Sequence, residues 1–474
     1  MSYLWATDDF LAATGGRLLG ATPDGIGGIS IDSRSLKPGD AFFAIKGDAM
    51  DGHDYATAAL AAGASLVVIA EAKLPAFGRM VAPIVVVSDV LAALEKLGVA
   101  ARKRSKAKII AVTGSAGKTT TKEVLRHALS SLGKVHASDK SFNNHWGVPL
   151  TLARMPANAD FAIFEIGMNH SGEIRPLVKM VRPHVAIVTL TAEAHLGHFR
   201  NVEEIALAKS EIFEGLAKGG SALINRDDLR WKTLERRARE AGVKNIASFG
   251  ENQRATYRLL DCKLFADHSS IVARIGGKEI VARIGAPGRH IVQNVLAVLG
   301  AADLVGAPVP QVALTLGDLA AEKGRGQRHV LKHPRGSFVL IDESYNANPA
   351  SMAASLAMLK STPIEEGRRI AVLGDMLELG KHAQKLHAAL AEKVVDAQAD
   401  VVFLAGPEMQ ALASALPQDL QVEYRANVAE LEPLVIAALR PGDAVMVKSS
   451  NGIGFSKLVE AVLKKYPAVS TDAT

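Results

Sequence analysis

Ile109-Ile110-Ala111-Val112-Thr113-Gly114-Ser115-Ala116-Gly117-Lys118-Thr119-Thr120 is the stretch that decides the fold. An apolar run meets two glycines, and behind Lys118 the residues Val124, Leu125, Ala128, Leu129 and Leu132 are spaced to share one helix face. Strand, glycine turn and helix in that order open a parallel-sheet crossover unit. The same arrangement suits phosphate: small residues let backbone N–H groups approach the oxygens, while a helix N-terminus and Lys118 add positive field. Gly114, Ser115, Ala116, Gly117, Lys118, Thr119 and Thr120 are therefore the candidate phosphate-binding residues, with the Thr119 hydroxyl available to Mg²⁺. The strict spacing G-x-x-x-x-G-K-[ST] wants glycine where Val112 stands, so the loop glycines here are Gly114 and Gly117.

A nucleotide site of this kind needs a carboxylate within reach of the metal. Glu165 ends one apolar strand candidate, and Asp342 with Glu343 ends another. Glu165 is favoured because it falls in the same expected sheet as the loop.

Working outward, strand candidates at 161–166, 185–190 and 222–224 continue the crossover pattern. Residues 271–275 and 278–284 flank Gly276-Gly277 and predict an antiparallel hairpin inserted into the domain. Residues 289–304 and 309–321 read as helices. Before the loop, strands are expected at 41–45, 66–69 and 84–87, with helices starting after Asp54 and Asp89 as N-caps. The run Arg102-Lys103-Arg104-Ser105-Lys106-Ala107-Lys108 reads as a solvated helix end and linker. Lys323-Gly324-Arg325-Gly326-Gln327-Arg328 reads as a flexible basic joint. Beyond it, strands at 338–341, 370–373, 401–404 and 444–447 repeat a doubly wound pattern. The fold class is thus α/β in three domains, 1–106, 107–325 and 326–474. The first is α/β, the second a phosphate-loop domain with a mainly parallel sheet, and the third Rossmann-like.

Composition agrees. The 474 residues suggest about three domains, and 48% hydrophobic with 22% charged residues excludes extensive disorder. Net charge is 55 − 49 = +6 with the signs mixed, which is mildly basic and only weak evidence for a nucleic-acid partner. The basic run has no interleaved aromatics to stack bases. One cysteine, Cys262, excludes an intrachain disulfide and a cysteine-cluster metal site. Residues 1–10 show no basic lead into an apolar stretch, so no secretory signal is expected. The uncharged stretch 55–70 is split by Gly63 and Ser65 into a helix-like and a strand-like half, too short to span a bilayer. A cytoplasmic protein without a membrane span is expected.

Three further segments carry a resemblance: Asn143-Asn144-His145-Trp146-Gly147-Val148-Pro149, Glu165-Ile166-Gly167-Met168-Asn169-His170 and Asp342-Glu343-Ser344-Tyr345-Asn346-Ala347-Asn348-Pro349. With the loop, and in this order, they resemble the Mur ligases over nearly the whole chain. The resemblance implies an ATP-dependent amide ligase of peptidoglycan precursor synthesis, acting as a monomer and joining D-alanyl-D-alanine to UDP-MurNAc-tripeptide through an acyl phosphate. It implies a UDP-sugar site in the first domain at Ser33, Arg34, Lys46, Asp51, Gly52 and His53, although Asp51 to Asp54 also reads as a helix-capping loop. It implies ATP on the loop, on Asn294, and on Arg325 and Asp342 when the last domain closes. Two Mg²⁺ ions are implied at Thr119, Glu165, His195 and Lys209, the last carried as a carbamate. Lys118, Lys209, His195 and Arg325 are the implied catalytic residues, and Asn143, Asn144, Tyr345, Asn346 and Asn348 the implied substrate contacts. Hinges are expected near 106–108 and near Arg325. Where the family often shows Lys-Gly-Ser, this chain has Lys448-Ser449-Ser450.

Two alternatives stay open at this stage. One is a sibling ligase adding the third amino acid or a folate-type glutamate; the chain lacks an Asp-Asn-Pro-Arg motif. The other is a nucleotide-dependent switch or nucleic-acid ATPase, without an Asn-Lys-x-Asp guanine signature to support it.

Overall fold

The structure is a computed structural model that describes residues 3–48, 50–78, 82–139 and 141–469. Three sheets follow one another along it. The first runs, in spatial order, Arg17–Leu19, Ile84–Val87, Leu66–Ala70, Asp40–Phe43 and Gly28–Ser30, parallel except at the Arg17–Leu19 edge. The second is parallel from Val135–Ala137 through Phe161–Glu165, Lys108–Thr113, Val185–Val188, Ser221–Asn225 and Asn245–Gly250 to Tyr257–Leu264. Ser269–Ile275 and Lys278–Ile284 then add antiparallel strands. The third runs Gln327–His333, Gly336–Glu343, Ala444–Lys448, Arg369–Gly374, Val401–Ala405 and Gln421–Arg425, with only the first pair antiparallel.

The strand sequences explain the layers. Along Ile84–Val87, Val85 and Val87 enter one core and Ile84 and Val86 the other. Along Lys108–Thr113, Ile110 and Val112 pack under the helices Lys118–Ser130 and Arg289–Leu304, while Ile109 and Ala111 pack on the opposite face. Strands buried on both faces need a continuous apolar run, which is why they were legible. Val112 lies in that core, so the loop begins two residues later than the strict spacing would have it.

The expected antiparallel hairpin is present, turning at Gly276-Gly277 with both residues at positive φ and extending the edge of the central sheet. Other expectations are corrected. Asp89 caps the helix Val90–Arg104 by accepting from the Ala92 N–H, whereas Asp51 and not Asp54 caps the turn before the helix Ala56–Ala61. The helix expected over 309–321 stops at Thr315 and tightens into a 3-10 turn, Leu316–Asp318. Of the joint read at 323–328, Gln327 and Arg328 already belong to the edge strand, which leaves a short link whose Gly324 and Gly326 have positive φ.

The basic run at 102–108 is no solvated linker. Arg102 donates to the carbonyls of Val181 and Arg182, and the Arg104 guanidinium lies 3.4 Å over the Trp5 ring. Leu150 and Ala153 of the helix Gly147–Ala153 also complete the first sheet's core beside Leu94 and Leu97. Burying leucines of this kind contributes about 2 kcal/mol each, so rotation at 106–108 would open a packed interface. Among the described residues, no helix is long and apolar enough to cross a membrane.

Candidate active site

Both loop glycines are required by contact. A Cβ on Gly114 would fall 1.9 Å from Thr189 Oγ1, and one on Gly117, at φ 81°, would fall 2.5 Å from Asn294 Oδ1. The loop therefore nests between the strand Val185–Val188 and the helix Arg289–Leu304, and Asn294 is placed against it. Ser115 fixes the loop further: its N–H donates to the Leu190 carbonyl, and its hydroxyl donates to the Ala192 carbonyl and accepts from the Ala192 N–H. Lys118 Nζ donates to the Gly114 carbonyl at 2.7 Å. Burial lowers the Lys118 pKa, an effect countered by Glu165 and reinforced by Arg325.

Thr119 Oγ1 donates to Glu165 Oε2 at 2.9 Å, and Asn143 Nδ2 donates to Glu165 Oε1 at 2.7 Å. A hydroxyl and a carboxylate at the mouth of a phosphate loop are the oxygen donors Mg²⁺ takes, since it keeps several waters and needs only one or two protein carboxylates. These two residues fit such an ion. Among the described residues, no group of three or more His, Cys, Asp or Glu side chains is assembled for a metal.

The loop lines one end of a cavity of about 670 Å³ shared by the second and third units. From the third unit Tyr345, Asn346 and Asn348 enter it, from the second Asn143, Glu165, His195 and Asn294, and from the link between them Arg325. The two units touch: Asn348 Nδ2 donates to the Ser115 carbonyl at 3.1 Å, and the Tyr345 hydroxyl lies 2.8 Å from Ser141 Oγ. The Arg325 guanidinium sits 4.3 Å over the Tyr345 ring. Asn348 also caps the helix Pro349–Ser361, so its side chain is held from both sides.

Not every candidate lines this cavity. Asp342 is buried and fully engaged, accepting from Gly324 N–H, Ser344 N–H and the Ser344 hydroxyl. It holds the link that carries Arg325 and does not itself reach the cavity. Asn144 accepts from the Gly147 N–H and shapes the entry to the next helix. Lys209 is 1% exposed, outside the cavity lining, and burial followed by the charge of Lys118 holds its pKa well below 10.5.

The first unit's candidates lie outside the cavity. Asp51 contacts Lys73 Nζ at 2.7 Å and His53 Nδ1 at 2.6 Å, and Lys73 foremost keeps its carboxyl below the usual range. His53 Nε2 accepts from the Ala70 N–H. Asp51 and His53 thus brace the loop, as the capping alternative had it. Gly52 is needed because a Cβ would fall 2.6 Å from the Ile45 carbonyl oxygen. Arg34 is exposed and forks onto Asp32, and Lys46 and Ser33 remain accessible.

Lys448 and His290, which were not among the candidates, line the cavity, as does Glu343, which was raised only as an alternative carboxylate. Lys448 Nζ donates to Glu343 Oε2 at 3.1 Å and to the Asn346 carbonyl at 2.9 Å. The two residues are register partners on neighbouring strands, a pairing that no local pattern reveals. Burial lowers the His290 pKa. At the Lys-Ser-Ser turn, close approach is retained from the other side: Gly374 leaves room for Ser449, whose Cβ would be 2.8 Å from a Cβ there.

A phosphate loop facing, across a glycine link, a second α/β unit that supplies an arginine and polar side chains defines a multi-unit nucleotide-using enzyme. Comparison with known families makes this specific. The Mur ligase family catalytic domain matches residues 25–102, the Mur ligase middle domain 112–302, and the Mur ligase glutamate ligase domain 324–451. The chain is 34% identical over 433 residues to a UDP-N-acetylmuramoyl-tripeptide–D-alanyl-D-alanine ligase of Rickettsia prowazekii, covering 91% of this chain and 94% of the relative. It is 32% identical to the ligase of that name from Escherichia coli K12, with 92% and 93% covered. The MurF crystal structure from Acinetobacter baumannii superposes with a TM-score of 0.85 at 28% identity, covering 97% of this chain and 99% of that one. The chain belongs to the Mur ligase family and is an enzyme of the ligase class.

Proposed function

We propose that this chain joins D-alanyl-D-alanine to UDP-MurNAc-tripeptide, using ATP, in the cytoplasmic assembly of the peptidoglycan precursor. The observation that carries the reading is one cavity lined both by the phosphate loop and by Tyr345, Asn346 and Asn348. Relatives covering nine-tenths of the chain and bearing that ligase name support the same substrates.

Residues 1–106 hold the UDP-sugar through Ser33, Arg34 and Lys46, residues 107–325 hold ATP, and residues 326–474 close over both. A terminal carboxylate oxygen of the tripeptide attacks the γ-phosphorus, and ADP departs. The dipeptide amine then attacks the acyl carbon, phosphate leaves with that oxygen, and loss of a proton gives the amide. Positioning and electrostatics carry such a transfer, and the protein needs no nucleophile of its own. Lys118 and Arg325 place positive charge around the transferring group. Thr119 and Glu165 would hold one Mg²⁺, and His195 and Lys209 a second, and these ions would supply neutralisation of phosphate charge. Lys209 is suited to carry a carbamate, because CO₂ adds to a neutral amine and burial favours that form. Meeting of the units excludes water from the acyl phosphate.

The test is oxygen transfer. Tripeptide labelled with ¹⁸O in its terminal carboxylate should deliver one ¹⁸O to inorganic phosphate, and unlabelled phosphate would exclude the acyl phosphate. Arg325→Ala should lower kcat by about 10²-fold, as loss of one preorganised positive group does, while leaving tripeptide affinity within a few-fold. Unchanged turnover would remove Arg325 from the mechanism.

A further inference from the structure

We infer that Glu378 is a positioning residue for His195, supplied by the third unit, so that the metal side of the site is complete only when the second and third units meet. This rests on the reading of His195 as an Mg²⁺ ligand. Glu378 Oε2 lies 2.5 Å from His195 Nδ1, across the boundary between the units. The contact is close in distance without the alignment of a hydrogen bond.

Backbone geometry shows that this meeting is built. Among the described residues, four non-glycine residues have positive φ, and two of them are His195 at 59° and Glu378 at 64°. Side chains in that region persist where surrounding contacts over-determine them, and they gather at functional sites. The surrounding contacts are present. The Gly197 N–H donates to the Glu378 carbonyl at 2.9 Å, and a Cβ on Gly380 would fall 2.7 Å from Gly197 Cα, so the two loops meet backbone to backbone. The Glu378 loop is anchored in its own unit, with Met376 N–H donating to His387 Nε2 and Leu377 N–H to Ser450 Oγ.

The chemistry gives the pair its use. A ligating imidazole usually presents its second nitrogen to a carboxylate, which fixes the tautomer and ring orientation and makes the ligating nitrogen more basic. With Nδ1 facing Glu378, Nε2 is the nitrogen left to ligate a cation at the cavity that His195 lines. A histidine whose orienting carboxylate comes from another unit links metal binding to closure. It would discourage phosphoryl transfer in the open enzyme, where ATP would meet water.

The experiment uses the full chain with Mn²⁺ in place of Mg²⁺ and a non-hydrolysable ATP analogue. Mn²⁺ affinity is followed by electron paramagnetic resonance, and imidazole ligation by the ¹⁴N modulation of its spin echo. Wild type should show the ¹⁴N signature and His195→Ala should lose it. Glu378→Gln, nearly isosteric at a half-exposed position, should weaken Mn²⁺ binding about tenfold and diminish the signature with the melting temperature unchanged. If His195→Ala removes the signature while Glu378→Gln keeps wild-type affinity and signal, the positioning role is overturned and the ligand reading stands. If His195→Ala changes neither, the ligand reading fails and this inference with it. Should Glu378→Gln misfold, Glu378→Ala is read by the same criteria.

Discussion

Lys118→Ala is expected to lower kcat by about 10²- to 10³-fold, the loss that follows removal of one preorganised charge from a developing transition state. The effect should fall on turnover more than on nucleotide affinity. The loop retains its glycines and backbone donors, and Ser115 and Thr189 still hold it when the lysine's bond to the Gly114 carbonyl is lost. Stability should change little, because burial already lowers the lysine's pKa and deletion relieves that penalty. Single-turnover rates with separately measured nucleotide affinity decide the matter. A kcat within threefold of wild type would mean that Lys118 holds only the Gly114 carbonyl and has no part in the transfer.

Lys209→Met should abolish turnover, by about 10²-fold or more, while raising the melting temperature of the unliganded protein in CO₂-free buffer. The two effects have one origin. The folded pKa of Lys209 lies well below its unfolded value of 10.5, with burial the larger cause and Lys118 the second. Between those two values the unfolded chain binds more protons, so wild-type stability rises with pH across that window and is reduced below it. Methionine fills the site without this penalty and removes the slope. The anion that a carbamate would place beside the ATP phosphates is lost as well, and charge stabilisation near a bound metal is worth several kcal/mol. Degassing should lower wild-type activity and bicarbonate should restore it. A Lys209→Met enzyme with normal turnover, or a wild-type stability flat in pH up to 10.5, contradicts the account.

Much of this architecture could be read from the chain because its strands are buried on both faces, as in Ile84–Val87 and Val401–Ala405, and so appear as unbroken apolar runs. The phosphate loop was legible because its glycines, Lys118 and Thr119 are contiguous. Gln327 and Arg328, which open the strand Gln327–His333, were read as part of a joint because an edge strand with one buried residue carries no alternation strong enough to outweigh its basic character. The cap at Asp51 went to Asp54 because both acids precede the helix and only the turn geometry separates them. Contacts distant in sequence stayed hidden for another reason. Tyr345 with Ser141, Asn348 with Ser115, Lys448 with Glu343 and Glu378 with His195 are separated by a hundred residues or more, and strand register and domain docking bring each pair together. The packing beside 106–108 was hidden similarly: nothing local marks Leu150 and Ala153 as part of the first unit's core.

The central claim is that one cavity couples ATP cleavage to amide formation between two specific substrates. Phosphate release measured with ATP, Mg²⁺ and UDP-MurNAc-tripeptide, with and without D-alanyl-D-alanine, tests it most directly when the product is weighed by mass spectrometry. The account predicts sustained release only with both substrates present, and a product heavier than the tripeptide by one dipeptide less one water. Release that ignores the dipeptide, or a product that gains a different amine, would contradict it.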